Sequence, residues 1–482
     1  MAGEKSDPES APLIPKPRQR NVTVLQLVAI TYFAVAGGPE GTETLIQAGG
    51  PLYAVIGFFV VGILWSIPMA LMAAELTTAF PENGGYVLWV TSAFGQQAGE
   101  MAGWLQFVSS GVDACIYPGL FLVYLKEIVD TEDRALSDPV VEWTIKVAFV
   151  AMMLLLNILG IESVGHGSTV FMIMLLSPFV VIILIAFTGV FTGTTVLGWP
   201  FSVSSMLGTP DKNWTADWSG FFMVLLWNMG YWEGASVCAG EVADVGRVFP
   251  MAMWISLLVV LLNYILPIMA FAGLDGNYAA FDNGHYISVA RDVCGPYFAY
   301  ALGLAQTVSV CGLFANGIIK NTYMVCGMSE QGLLPKALGE RLSYTQAPYV
   351  ALSLTVVIMI LIMPLGSFKI ILGVDIDLYC IALLLEIAAF LYLRYSQPNR
   401  PRDFRVPVDG AWLWLMYLPM VVITVLGIAM GGFVEIMVSL SFVTAGILVI
   451  LALHLIRTHR PQWFEVASGV VGVVSAEGGD KP

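Results

Sequence analysis

The sequence predicts an all-α, polytopic membrane protein of about twelve transmembrane helices, and three observations carry that prediction. Only 12% of the 482 residues are charged while 57% are hydrophobic, roughly half the charged share of an ordinary soluble domain. Mean hydropathy is +0.79. The apolar residues arrive in runs of roughly 20, the length of helix that crosses a hydrocarbon core. So few charges cannot solvate the outer face of a soluble fold, and lipid is the remaining solvent. Each run is read as a helix, because an isolated strand in lipid leaves its backbone groups unpaired.

In chain order the runs fall near 22–47, 51–75, 97–127, 140–160, 166–190, 218–241, 248–272, 297–328, 347–365, 369–395, 411–431 and 435–456. Residues 1–21 are polar and proline-rich and read as a disordered cytosolic tail. They lack the apolar core of a signal peptide, and Glu9 with Leu13-Ile14 resembles an acidic dileucine sorting signal. Residues 22–456 form one transmembrane domain, and 457–482 a second cytosolic tail. With the N-terminus inside, 15 of the 21 Lys and Arg residues face the cytosol, leaving Lys126, Arg134, Lys146, Lys212, Arg291 and Lys369 outside. That asymmetry favours twelve spans with both termini cytosolic. The sequon Asn213-Trp214-Thr215 then lies on an outer loop.

Two spans carry breaks. Gly37-Gly38-Pro39-Glu40-Gly41 interrupts the first, where three glycines and a proline weaken the helix and remove a backbone donor. Asn228-Met229-Gly230-Tyr231-Trp232-Glu233-Gly234 interrupts the sixth. Breaks in spans one and six are what a five-plus-five inverted repeat requires. Its halves run over about 22–190 and 218–395, with 411–456 as two extra helices. Unwound backbone at the midplane then offers ligands to a substrate.

Acids inside hydrocarbon are costly unless paired or hydrated, yet this chain places Glu43, Asp113, Glu233, Asp375, Asp377 and Glu386 within its spans. Lys320 is the main basic residue at comparable depth, and either faces the acids or snorkels to the cytosolic surface. An excess of buried acid asks for a cationic ligand, for protons, or for both. Asp113 and Tyr117 stand four apart and share a helix face. Asp375 and Glu386 stand eleven apart, about 16 Å along one face. Tyr117, Tyr231 and Trp232 offer cation–π surfaces to desolvated ammonium groups. Other acids read as structural: Glu75 at the inner end of the second span, Glu100 at a helix start, and Glu241 with Asp244 capping the sixth helix or pairing with Arg247.

Several classes are disfavoured. The net charge of −14 and the lack of a basic patch argue against a nucleic-acid partner. Five of the six cysteines lie in apolar spans, and the four histidines are dispersed, so neither a disulfide framework nor a metal cluster is expected. No nucleophile–base set or phosphate loop points to an enzyme or an ATP-driven pump, and no cofactor is implied.

At these residues the chain resembles the polyamine–proton symporters of the amino acid–polyamine–organocation superfamily, typified by plant and protozoan polyamine uptake transporters. The resemblance runs over roughly 22–430. It is carried by Gly37-Gly38-Pro39 through Glu43, WSIPMALMAAELTTAFPENGGYVLWV at 65–90, GVDACIYPGLFLVYLK at 111–126, WNMGYWEGASVCAGEV at 227–242, GMSEQGLLP at 327–335, LYCIALLLEIAAFLYLR at 378–394 and FRVPV at 404–408. The AEL–PENGGYV segment speaks only for the superfamily's fold; the Asp113/Tyr117 pair, Tyr231-Trp232-Glu233 and the tenth-span segment from Leu378-Tyr379-Cys380 to Leu384-Leu385-Glu386 are more specific. Two positions depart from the pattern: Glu40 stands where an apolar residue is expected, and Lys320 adds a cation to the eighth span.

The resemblance implies a proton-driven importer of putrescine, spermidine or related amines, with Glu43, Asp113, Tyr117, Asn228, Tyr231, Trp232, Glu233 and Glu386 as binding and coupling candidates. The break and the tenth-span acids add Gly38 at the substrate and Asp375 beside Glu386 as proton-coupling or second amine contacts. The plasma membrane is its expected location. The alternative is an amino acid transporter of the same fold, whose substrate carboxylate would sit at the helix following the first break. Glu40 so close by disfavours that anion. A sensor or channel on this fold is a third reading, and both tails are short for a sensor domain.

Overall fold

A computed structural model describes residues 21–39, 41–129, 138–192, 206–207, 214–362 and 368–464. Glu9, Leu13 and Ile14, the break residue Glu40, the sequon residue Asn213, and the C-terminal tail from 465 lie outside the described residues.

The first span is two helices, α1 (Val24–Val35) and α2 (Thr42–Gly49). The second is one long helix, α3 (Pro51–Ala79), with a π turn at Gly62–Ser66. A short helix α4 (Tyr86–Phe94) leads into the third span, α5 (Gln96–Ala114) and α6 (Tyr117–Val129). The fourth and fifth spans are α7 (Pro139–Ile158) and α8 (Ile161–Thr192). The sixth is α9 (Trp218–Met229) followed by a 3-10 stretch, Gly234–Glu241. The remainder comprises α10 (Val245–Leu274), the short α11 (His285–Cys294), α12 (Pro296–Glu330), α13 (Tyr349–Ile362), α14 (Phe368–Ser396), α15 (Ala411–Ala429) and α16 (Phe433–His459).

Among the described residues twelve segments therefore stack as spans, with α4 and α11 beside them. Among the described residues, eight helices are long and apolar enough to cross a membrane. The other spans are the two broken ones, the ninth, and the acid-bearing tenth.

The inverted repeat is visible in its details. The second and seventh spans are each followed by Asn-Gly and a short helix: Asn83-Gly84 before α4, Asn283-Gly284 before α11. Gly85 (φ 46°) caps α4 and Gly284 (φ 96°) caps α11, positions that favour glycine because a Cβ crowds the backbone there. Each short helix opens with a fully buried tyrosine, Tyr86 or Tyr286. Each closes on a left-handed glycine, Gly95 or Gly295, which starts the next span.

Both broken spans meet their backbone needs with side chains. In the first, Gly37 and Gly41 take φ of 59° and 78°, the Ser309 hydroxyl donates to the Gly37 carbonyl, and Thr42 Oγ1 donates to the Pro39 carbonyl at 2.5 Å. In the sixth, the Met229 carbonyl left over at the end of α9 accepts from Ser66 Oγ at 2.8 Å and from Trp232 Nε1 at 2.9 Å. Tyr231 turns the chain at φ 64°. Unpaired, such groups would each cost several kcal/mol in lipid.

The third span departs from the continuous helix expected over 97–127. It is interrupted at Cys115-Ile116, where Pro118 has no N–H for the Ala114 carbonyl and the Cys115 and Ile116 N–H groups turn back to Val112 and Asp113. At the end of the molecule that gathers most of the arginines, Glu75 is held by Arg394, by Arg402 at 2.5 Å and by the Val406 N–H at 2.7 Å. Glu100 takes Arg457 at 2.6 Å. Glu241 meets Arg341 at 3.1 Å and Asn83 at 2.8 Å rather than Arg247, since the 3-10 stretch aims it at the turn before α4.

Candidate substrate site

The breaks in the first, third and sixth spans line a narrow, partly open cavity. Its walls are the end of α1 from Phe33 to Ala36, Ser110 and Asp113 of α5, Tyr117 of α6, Trp227 and Asn228 of α9, Tyr231 in the break, and Asn316 and Lys320 of α12.

Among the described residues, Asp113 is the carboxylate that lines it. Its oxygens accept from Tyr117 Oη at 2.7 Å and Trp227 Nε1 at 2.8 Å. The turn at Cys115-Ile116 still brings Tyr117 back over Asp113, so the pair meets across a break rather than along one helix face. Beside it Asp375 of α14 accepts from Ser109 Oγ at 2.6 Å and Tyr231 Oη at 2.5 Å. The Tyr231 and Tyr379 rings lie 4.2 Å apart. The Tyr379 hydroxyl accepts the Tyr231 N–H at 2.7 Å and donates to Glu233 Oε2 at 3.1 Å. Three residues earlier on α5 than Ser109, Gln106 Nε2 donates to Glu386 Oε1 at 2.9 Å. Two acid layers thus stack along α5, Asp113 with Asp375 and Glu233 with Glu386, and the tyrosine pair separates them.

All the hydrogen-bond donors named here are neutral, so they orient the carboxylates without cancelling their charge. Among the described residues Glu386 Oε2 is buried with no hydrogen-bond partner, and Gln106 stands beside both Glu233 and Glu386. Lys320 lies within electrostatic reach of all four acids. Its ammonium sits over the Tyr231 ring, 4.7 Å from the centroid, so it faces the acids and does not snorkel to the surface.

Of the residues expected at the substrate, Asp113, Tyr117, Asn228 and Tyr231 line the cavity, and Glu233, Asp375 and Glu386 lie in the layers just described. Glu43, Trp232 and Gly38 stand elsewhere. Glu43 is fully buried against α11, accepting the Tyr286 N–H at 3.0 Å. The Trp232 indole is spent on the Met229 carbonyl. Gly38 shapes the first break at φ 134° and is not part of the cavity wall. Sequence reasoning missed Gln106, Ser109, Trp227 and Tyr379. Gln106, Ser109 and Asp113 recur at helical spacing on one face of an apolar span, a polar stripe that could have revealed the first two.

An interrupted-helix bundle around a buried acidic cavity is the architecture of a secondary transporter. The amino acid permease family model matches residues 22–465. The polyamine transporter PUT1 of Oryza sativa subsp. japonica is 32% identical, over 93% of this chain and 81% of its own length. The probable polyamine transporter At3g19553 of Arabidopsis thaliana is 33% identical over 91% and 86%. The cystine/glutamate transporter of Homo sapiens is more distant, at 21% over 93% and 88%. The chain belongs to the amino acid permease family, within the polyamine transporter group of the amino acid–polyamine–organocation superfamily.

Proposed function

We propose that this protein imports polyamines such as putrescine and spermidine, coupled to protons, by alternating access around the central cavity. The observation that carries the reading is the charge count at that cavity: Asp113, Glu233, Asp375 and Glu386 against the one cation Lys320, among the described residues. A polyamine brings several ammonium groups on an apolar chain, and the two acid layers receive them in succession. Tyr117 and Tyr231 supply aromatic faces. An amino acid is the weaker fit, because its carboxylate would enter a field set by four acids.

Glu386 and Asp375 carry the coupling proton or the second amine contact in this reading, and Glu233 holds an ammonium group. Among the described residues Glu386 Oε2 is buried with no hydrogen-bond partner, and a proton bound there would neutralise the acid. The arginine-rich end faces the cytosol by the positive-inside rule, and the plasma membrane is the proposed location. The test is uptake of labelled spermidine into proteoliposomes at two external pH values. Saturable uptake that rises with an inward proton gradient supports the proposal. Uptake of leucine or arginine with spermidine inert would replace it with the amino acid reading.

A further inference from the structure

Among the described residues, Lys320 differs from the buried and half-buried arginines that face carboxylates. Arg394, Arg402, Arg341 and Arg457 each hydrogen-bond a carboxylate. Lys320 is as deeply placed, 7% exposed, yet among the described residues it makes no hydrogen bond or ion pair. Its stem runs through the break in the sixth span, where a Cβ on Gly234 would lie 3.1 Å from its Cδ. Its ammonium ends in the cavity, over a tyrosine whose hydroxyl binds Asp375. A lysine built to neutralise an acid would close on it, and four flexible carbons allow that reach. This one instead rests where an incoming amine would sit.

We propose that Lys320 is a built-in competitor of the substrate, a tethered ammonium that holds the Tyr231 face and sets the number of positive charges the site accepts. The inference rests on the polyamine reading and specifies its selectivity. A substrate ammonium approaching Asp113 meets the attraction of the acids and the repulsion of Lys320 together. Every ammonium on the substrate is repelled by it, so the penalty grows with the charge of the amine. Removing the lysine charge should improve binding of all polyamines, and most for those with the most ammonium groups.

The experiment measures equilibrium binding of putrescine, spermidine and spermine to the purified full-length protein, in wild type and in Lys320→Met, Lys320→Gln and Lys320→Arg. In both neutral variants affinity should rise by about tenfold for spermine, less for spermidine and least for putrescine, a scale set by one unit charge at close range in a partly screened site. Lys320→Arg should keep the wild-type ranking. A structural role would not produce a gain graded by ligand charge. Unchanged or weakened binding of all three amines in the neutral variants would overturn the proposal, as would an arginine variant that behaves like them. Two neutral variants that both fail to fold would make Lys320 a structural cation and also overturn it. A wild-type protein that binds none of the amines would instead remove the underlying polyamine reading, and this inference with it.

Discussion

Glu43 accepts the main-chain N–H of Tyr286 at 3.0 Å, which docks the second half of the broken first span on the opening turn of α11. The other end of the molecule repeats the arrangement, with Glu241 of the broken sixth span bound by Asn83 in the turn before α4. Each short helix thus holds the second half of a broken span. Glu43→Ala would leave a buried N–H unpaired and should cost about 1–3 kcal/mol, read as a lowered melting temperature. Glu43→Gln keeps an acceptor oxygen and should cost less. Spermidine affinity should hold within about twofold in the Gln variant if Glu43 acts only in this docking; a loss above about tenfold, roughly 1.4 kcal/mol, would restore it to the substrate site.

Asp113 is the acid that reaches the cavity itself. Asp113→Asn keeps the shape, removes the charge, and should raise the KM for spermidine by about a hundredfold, the scale of one close charge pair. Tyr117→Phe removes one of its two donors and should raise KM by about tenfold, as a charge-assisted hydrogen bond is worth about 1.5–3 kcal/mol. Equal KM values for wild type and Asp113→Asn in vesicle uptake would place the substrate elsewhere.

The span boundaries were legible because lipid leaves the chain one way to satisfy its backbone, and glycine and proline write the first and sixth breaks directly into the sequence. The third break was not read, although Pro118 marks it, because an apolar run reads as continuous when only its length is weighed. Helices α4 and α11 were missed because nine and ten residues are too short to cross a bilayer. At the site, acids were legible as expensive residues, while their partners were not. Trp232 and Trp227 look alike in sequence, and only packing decides that one caps a carbonyl and the other holds Asp113. The repeated Asn-Gly before α4 and α11 was present and unread, since its meaning lies in a symmetry between distant halves.

Glu233 and Glu386 divide one layer between them. Glu233→Gln retains an oxygen for the Tyr379 hydroxyl, so the variant should fold with wild-type melting behaviour and lose amine uptake. Glu386→Gln should flatten the pH dependence of uptake, because the proton that pairs its unmet oxygen would be replaced by a permanent N–H. Uptake at about pH 5.5, 6.5 and 7.5, roughly a hundredfold range of proton activity that covers the physiological window, separates the two. Wild-type uptake by Glu233→Gln removes it from the site.

Asp275, in the link between α10 and α11, lies outside the spans. The hydrogen bond from His285 at 2.9 Å holds its carboxyl below the ordinary aspartate value. A depressed carboxyl stabilises the fold above its unfolded value of about 3.9 and loses that contribution as pH falls through the lower folded value. Asp275 therefore stays ionised throughout the range in which uptake is measured. Asp275→Asn should leave the shape of the pH–uptake curve unchanged, with a lower melting temperature above pH 5; a flattened curve would tie proton coupling to this link.

The arginine-rich end is closed by backbone contact. The Gly84 N–H donates to the Val237 carbonyl at 3.0 Å and the Gly240 N–H to Asn83 Oδ1 at 2.9 Å, so the turn before α4 is sewn to the 3-10 half of the sixth span. Helix α12 presses on the same turn through Gly327, where a Cβ would stand 2.5 Å from the Gly84 nitrogen. Main-chain neighbours cannot swing aside as a side chain would, so Gly327→Ala must part α12 from the turn. Cys238 and Cys326 are both buried at this seam. In Gly327→Ala both should react faster with an impermeant thiol reagent supplied at that face, while wild type stays protected and added spermidine shifts the two proteins by different amounts. If labelling rates match, the turn yields without opening, and closure at this end depends on some other contact.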